Sequence, residues 1–117
     1  MIIDTSGSVD QKELDMFAAE LKSILISYPD TEMEVIYVDS KVAGTQTLNI
    51  SDLELNAKGG GGTDFRPGFD YIEKEDINPV CVLYFTDGYC NSFPEREPYY
   101  PTLWIITSLM NFKPPFL

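Results

Sequence analysis

The pattern of apolar and polar positions is most regular between residues 10 and 28. Apolar side chains recur there at steps of three and four residues with charged residues between them, which is typical of a helix that packs one face on a core. Its start is marked by one of two overlapping capping boxes, Ser8 with Gln11 or Asp10 with Glu13. Proline at position 29 ends the pattern.

Several short apolar runs predict strands. Continuous runs at 34–39 and 80–86 are typical of strands covered on both faces, as in parallel sheets. The Thr-rich segment 42–50 follows the first run after only two residues, a link that allows only an antiparallel neighbour at the sheet edge. The predicted elements in chain order are strand 1–4, helix 10–28, strand 34–39, strand 42–50, helix 67–75, strand 80–86 and strand 103–107. This alternation predicts an α/β fold with a mainly parallel open sheet flanked by helices.

The length of 117 residues supports one domain with one core, and no repeat or linker divides the chain. Both ends look short for this fold, because only three residues precede Asp4 and the sequence stops on the apolar pair at 116–117. We therefore expect one domain over 1–117 that is the C-terminal fragment of a longer protein. Uncovered apolar residues at its ends would favour self-association.

The net charge of the chain limits the classes of molecule that it can bind. Nineteen acidic and eight basic side chains give a net charge of -11, which repels phosphate backbones and anionic lipid. The longest apolar run, at 80–85, is far shorter than the roughly 18 residues of a membrane span, and no leader pattern begins the chain. We predict a cytoplasmic protein that binds neither nucleic acid nor membrane.

The composition contains no histidine and two cysteines. Nucleophiles activated by histidine, zinc held by histidine and four-cysteine sites are thereby excluded, so any metal must be held by oxygen ligands. Cys81 lies within a strand-like run and is predicted to be a buried, free thiol, and Cys90 is also predicted to be free.

Oxygen-bearing side chains follow the predicted strands at 4–8 and 87–88, and a third set follows four glycines at 63–64. Ligands of open α/β sheets bind at the carboxyl ends of the strands, where these segments would meet. Carboxylates and hydroxyls suit a hard cation, so we predict Mg²⁺ or Mn²⁺, with Ca²⁺ less favoured.

The spaced residues Asp4, Ser6, Ser8, Thr63 and Asp87 resemble the three-part metal-ion-dependent adhesion site of von Willebrand factor A (VWA) domains. The resemblance implies the Rossmann-like, doubly wound VWA fold. It also implies that the two serines and the threonine ligate the ion, while the two aspartates act directly or through water. One coordination position would stay open for an acidic residue of a partner protein.

A narrower resemblance covers nearly the whole chain. The segments Asp-Thr-Ser-Gly-Ser, Gly-Gly-Gly-Gly-Thr-Asp-Phe-Arg-Pro, Thr-Asp-Gly-Tyr, Leu-Trp-Ile-Ile-Thr and Pro-Pro-Phe are similar to the bacterial VWA-like domain found C-terminal to a predicted metallopeptidase-like region. The match departs at both ends, where that family has a longer first strand and a further last strand. It implies, as partner, a MoxR-type AAA+ ATPase or the missing N-terminal region.

Charged residues near these motifs have simpler interpretations as well. Asp64 is predicted to cap the helix that starts near Pro67, to orient Thr63, or to support the metal from outside its coordination sphere. Arg66 would answer local negative charge or form a surface ion pair. The remaining acids near the predicted strands and helices, Asp39 and Asp70, are interpreted as ordinary.

The leading hypothesis is a metal-dependent protein-interaction module that is not an enzyme. One alternative is a phosphatase of the haloacid-dehalogenase type with Asp4 as nucleophile, although such chemistry wants a second acid two residues later, where Ser6 stands. A phosphate-binding P-loop is disfavoured because Thr-Asp, and no lysine, follows the glycines. A scaffold domain without metal is the third alternative.

Overall fold

The computed structural model of the chain describes residues 1–7, 9–49, 54–55, 59–88, 93–94 and 96–106. In these residues a five-stranded sheet lies between two helices. The elements are β1 (Ile2–Asp4), α1 (Gln11–Ser27), β2 (Met33–Val38), β3 (Val42–Leu48), α2 (Arg66–Lys74), β4 (Val82–Thr86) and β5 (Thr102–Ile106). The strand order is β3-β2-β1-β4-β5, and only the β2–β3 pair is antiparallel. The predicted α/β fold with an antiparallel edge strand is confirmed.

Side chains alternate between the two faces of the sheet, and each face packs against one helix. In β1, Ile2 belongs to the core on the α2 side and Ile3 to the core on the α1 side. The fully or nearly buried residues on the α1 side are Ile3, Val9, Phe17, Leu21, Leu25, Val35, Tyr37, Leu48 and Phe85. Those on the α2 side are Ile2, Ile36, Val38, Phe65, Phe69, Ile72, Val82, Tyr84, Tyr100 and Trp104.

Helix α1 starts with the second of the two capping boxes that the sequence allows. The Glu13 N–H donates to the Asp10 carboxylate at 2.9 Å, and the Asp10 N–H donates to the Glu13 carboxylate at 3.3 Å. These reciprocal bonds satisfy two of the four donors that a helix start leaves without an intrahelical partner. Ser8, of the other box, lies outside the described residues.

Helix α2 approaches β1 closely. A Cβ atom at Gly68 would lie 2.9 Å from Ile2 Cδ1, so glycine permits this distance between helix and strand. Pro67 stands in the first turn, where its missing N–H costs nothing. In the described part of the chain, neither helix is long and apolar enough to cross a membrane.

The prediction of a buried Cys81 is wrong. Strand β4 begins at Val82, which pairs with Thr102, and its pairing with β1 begins only at Tyr84. Residues 80 and 81 therefore precede the paired part of the strand, which leaves Val80 92% exposed and Cys81 exposed. Cys81 is a free thiol, as predicted, and Cys90 lies outside the described residues.

Candidate metal site

Three adjacent parallel strands each end at a buried aspartate. Asp4 is the last residue of β1, Asp39 follows β2, and Asp87 follows β4; their exposed fractions are 1%, 7% and 2%. The chain passes from β1 to β2 through α1 on one face of the sheet and from β3 to β4 through α2 on the other face. Because β1 lies between β2 and β4, this edge is a topological switch point. Open α/β sheets bind their ligands in the crevice at such a point.

The carboxylate of Asp4 is held by neutral donors. The Ser6 N–H donates to Asp4 Oδ1 at 2.9 Å, and the Thr86 hydroxyl donates to Oδ2 at 2.5 Å. The Thr86 hydroxyl in turn accepts a bond from the Gly88 N–H at 3.0 Å. These bonds connect the end of β1 to the end of β4, where Asp87 lies.

Burial raises the pKa of Asp4 above its ordinary value. Hydrogen bonds from Ser6 and Thr86 offset part of this effect, and the negative charge of Asp87 adds to it. The carboxylate would therefore be stabilised by a nearby cation, because a positive charge favours the ionised form of an acid.

The glycine segment, residues 59–62, lies against the loop that follows β1. The Gly60 N–H donates to the Thr5 carbonyl at 2.7 Å, and the Gly7 N–H donates to the Gly61 carbonyl at 2.9 Å. Gly59 has a φ of 148°, and a Cβ atom there would collide with the side chain of Thr5. Both the backbone conformation and the close approach require glycine. The segment thus carries the half-buried Thr63 toward the ends of β1 and β2.

The structure brings most of the predicted ligand residues to one edge of the sheet. Asp4, Ser6 and Asp87 lie at the ends of β1 and β4, and Thr63 follows the glycine segment that contacts the same loop. Ser8 lies outside the described residues. Among the described residues no three carboxylate or thiol groups converge on one point, so a metal here would need hydroxyl ligands as well. The assignment of ligands stays a prediction.

Asp64 is bonded to Arg66. Its carboxylate accepts from the Arg66 backbone N–H at 2.9 Å and pairs with the guanidinium at 2.7 Å. The bond from the Arg66 side chain lowers the pKa of Asp64 below its ordinary value. The backbone bond lies beside the first turn of α2, but the N-cap residue is Phe65 and makes no side-chain cap bond, so Asp64 is not the cap residue itself. A role for Asp64 in supporting the metal stays a prediction.

Replacing Asp64 by asparagine should lower the free energy of unfolding at pH 7 by only about 0.5 kcal/mol, because the side chain of its partner is 53% exposed. The folded-state pKa of Asp64 lies below the unfolded value near 3.8. Its contribution is therefore present above that value and disappears as the pH falls through the folded pKa. Urea unfolding over a series of pH values from 7 downward checks this. A difference from wild type that does not shrink as the pH falls through the acid range would contradict the assignment to the ion pair.

Two contributors to this edge were not identified from the sequence. The sequence predicts that Asp39 is an ordinary acid, but it is buried and accepts a hydrogen bond from Gly61 of the glycine segment. Thr86 is fully buried and holds the Asp4 carboxylate. A common signal exists in the sequence, since each of the three buried strands β1, β2 and β4 is followed by or ends at an aspartate. Asp70, the other acid interpreted as ordinary, is exposed.

Comparison with known proteins identifies the family of this chain. Residues 1–117 match the family described as "VWA-like domain (DUF2201)". A Thermotoga maritima protein whose only description is "Uncharacterized protein" is 35% identical over 91 residues, which cover 75% of this chain and 22% of that protein. The aligned chain thus spans about a fifth of the length of this relative. No solved structure matches. The chain belongs to the VWA-like domain family.

Proposed function

We propose that this domain binds a divalent cation, Mg²⁺ or Mn²⁺, and uses it to bind an acidic side chain of a partner protein. The proposed ligands are the hydroxyls and carboxylates at the ends of β1 and β4 and after the glycine segment. They are Asp4, Ser6, Ser8, Thr63 and Asp87.

The observation that carries the proposal is the pair of buried aspartates, Asp4 and Asp87, on adjacent strands. Burying two carboxylates near each other is costly unless a cation or a proton compensates. The donors to Asp4 are a backbone N–H and hydroxyls, none of which carries a positive charge. A divalent cation supplies that charge, and oxygen ligands are the ones that Mg²⁺ and Mn²⁺ prefer.

The proposed donor set leaves the cation with affinity for a further anion. Three of the five proposed ligands are neutral hydroxyls, and where Asp4 and Asp87 act mainly through water their charges lie outside the coordination sphere, so the directly bound ligands do not fully neutralise the ion. The net charge of -11 does not prevent an acidic partner from binding, because the Debye length of about 8 Å at physiological salt screens remote charges. The start of α1 follows the β1 loop and adds favourable positive potential.

VWA-like domains serve in general as interaction or scaffold modules. That family membership favours a non-catalytic role over the phosphatase alternative. The resemblance noted in the sequence suggests a MoxR-type AAA+ ATPase, or a metallopeptidase-like region of the same polypeptide, as the protein that offers the aspartate or glutamate. A cytoplasmic location stays a prediction.

The test begins with calorimetric titration of Mg²⁺ and Mn²⁺ into the wild type, Ser6→Ala and Thr63→Ala. We expect the two variants to bind at least tenfold more weakly while circular dichroism shows them folded, since each loses one neutral ligand. Ser27→Ala, at the exposed end of α1, is the matched control and should bind as the wild type does.

The partner is then tested with the candidate proteins in a pull-down with and without EDTA. We expect capture only with metal, and we expect it to disappear when one Asp or Glu of the partner is changed to Ala. Capture that ignores both chelation and those substitutions would reject the proposal.

A further inference from the structure

Asp39 contacts the chain on both sides of Thr63. Its carboxylate oxygen Oδ2 accepts a hydrogen bond from the Gly61 N–H at 3.1 Å, two residues before Thr63. Its backbone carbonyl accepts a bond from the Asp64 N–H at 3.1 Å, one residue after Thr63. The position of Thr63 is therefore set from both sides by a single residue of the neighbouring strand end.

Both carboxylate oxygens of Asp39 are used in these contacts and in the turn that follows β2. Oδ1 accepts from the Lys41 N–H at 3.1 Å, and the Asp39 N–H donates to the Lys41 carbonyl at 3.0 Å. The turn joins β2 to β3, so Asp39 is attached to the sheet on both sides. A side chain whose two oxygens already accept backbone bonds is suited to holding a loop rather than to ligating a metal.

The contact with the glycine segment is close. A Cβ atom at Gly61 would lie 2.9 Å from Asp39 Oδ2, so any other residue at that position would displace the Asp39 carboxylate. Burial would raise the pKa of Asp39, but hydrogen bonds from the backbone N–H groups of Lys41, Gly61 and Ser40 outweigh it and lower that pKa. Asp39 therefore accepts these bonds as a carboxylate at neutral pH, and bonds to a charged acceptor are the stronger ones.

We propose that Asp39 is a positioning residue that sets the place of Thr63 in the metal site. This inference rests on the proposed function, because it assigns Thr63 to the metal. Outer residues of this kind hold a ligand in its productive orientation, and their loss typically weakens metal binding 10- to 100-fold. Asp39 acts through the glycine segment and does not touch the ion.

The variant that tests this is Asp39→Asn, which keeps the size of the side chain but has one acceptor oxygen. Its amide nitrogen would face one of the two N–H donors, so one of the two bonds is lost, and the bond that remains is weaker because its acceptor no longer carries a negative charge. In EDTA, we expect amide hydrogen exchange at Gly61 and Asp64 to become at least tenfold faster than in the wild type. Asp70→Asn, an exposed acid of α2 with the same change of charge, should leave that exchange unchanged.

Metal affinity is measured in the same variants and in the Thr63→Ala background, at a temperature where all are folded. We expect Asp39→Asn to weaken Mn²⁺ binding about tenfold in the wild-type background and to have no further effect once Thr63 is alanine. These measurements form a double-mutant cycle. If Asp39 had a merely structural role, the effects of Asp39→Asn and Thr63→Ala on the free energy of Mn²⁺ binding would instead be additive.

The two proposals fail in different ways. If the wild type binds Mn²⁺ but the cycle is additive, or the exchange at Gly61 and Asp64 is unchanged, the positioning role is rejected and the proposed function stands. If the wild type binds neither Mg²⁺ nor Mn²⁺, the proposed function is rejected and the positioning role falls with it.

Discussion

Millimolar Mg²⁺ or Mn²⁺ should raise the melting temperature of this domain by about 10 °C over its value in EDTA. A ligand at one hundred times its dissociation constant adds about 2.7 kcal/mol to the free energy of unfolding when only the folded state binds it. For a domain of this size, 1 kcal/mol corresponds to roughly 4 °C. Scanning calorimetry in EDTA and at two concentrations of each metal measures the shift directly.

The physical reason lies in the buried carboxylate of Asp4. Its folded-state pKa is raised above the ordinary value of 3.8, so its favourable contribution is present below that value and is lost as the pH rises through the folded pKa. Above its folded-state pKa and without metal, the ionised carboxylate therefore opposes folding. A cation bound at the ends of β1 and β4 reverses this effect.

Variants separate metal binding from general stability. Asp4→Ala should abolish the metal-induced shift, and Asp4→Asn should do so while leaving the protein in EDTA at least as stable as the wild type. Asp70→Asn, which removes an exposed charge from α2, should keep the full shift. Identical melting temperatures for the wild type in EDTA and in millimolar metal would show that the site does not bind these ions in the folded state.

The sequence predicts the elements of this fold well because their signals are local. The three- and four-residue period of α1 and the two-residue link before β3 each allow one structure, and both are observed. The end of an apolar run is less informative about which of its residues are buried. Cys81 continues the run of β4, yet its exposure depends on where the neighbouring strands begin, which the run itself does not contain.

The residues of the candidate site can be recognised in the sequence only where their signals are local. Asp4 and Asp87 follow strands and carry a recognisable spacing, whereas an aspartate such as Asp39, directly before a short link, is typical of any turn. The burial of Asp39 comes from the glycine segment, which is 22 residues away in the sequence and reaches it only in the folded chain. The glycines indicate a close approach, but not the residue that is approached.

Phe65→Ala should be among the most destabilising single changes in the chain, with a loss of about 3–5 kcal/mol in the free energy of unfolding. The Phe65 side chain is fully buried, and its ring centroid lies 5.2 Å from that of Tyr84 and 5.3 Å from that of Trp104. Phe65 also directly follows Asp64. Its burial therefore fixes the C-terminal end of the segment that carries Thr63. Urea unfolding measures the loss of stability.

The matched control is Phe17→Ala, on the opposite face of the sheet, where Phe17 is equally buried and lies 5.2 Å from the Phe85 ring. Both variants should lose similar free energy of unfolding, because each removes a large ring from a packed core. Only Phe65→Ala should also accelerate amide exchange at Gly61 and Asp64 and weaken Mn²⁺ binding, since only Phe65 joins the core to the segment that carries Thr63. If the two variants affect exchange and metal binding equally, Phe65 stabilises the fold without positioning the site, and the placement of Thr63 depends on the sheet edge alone.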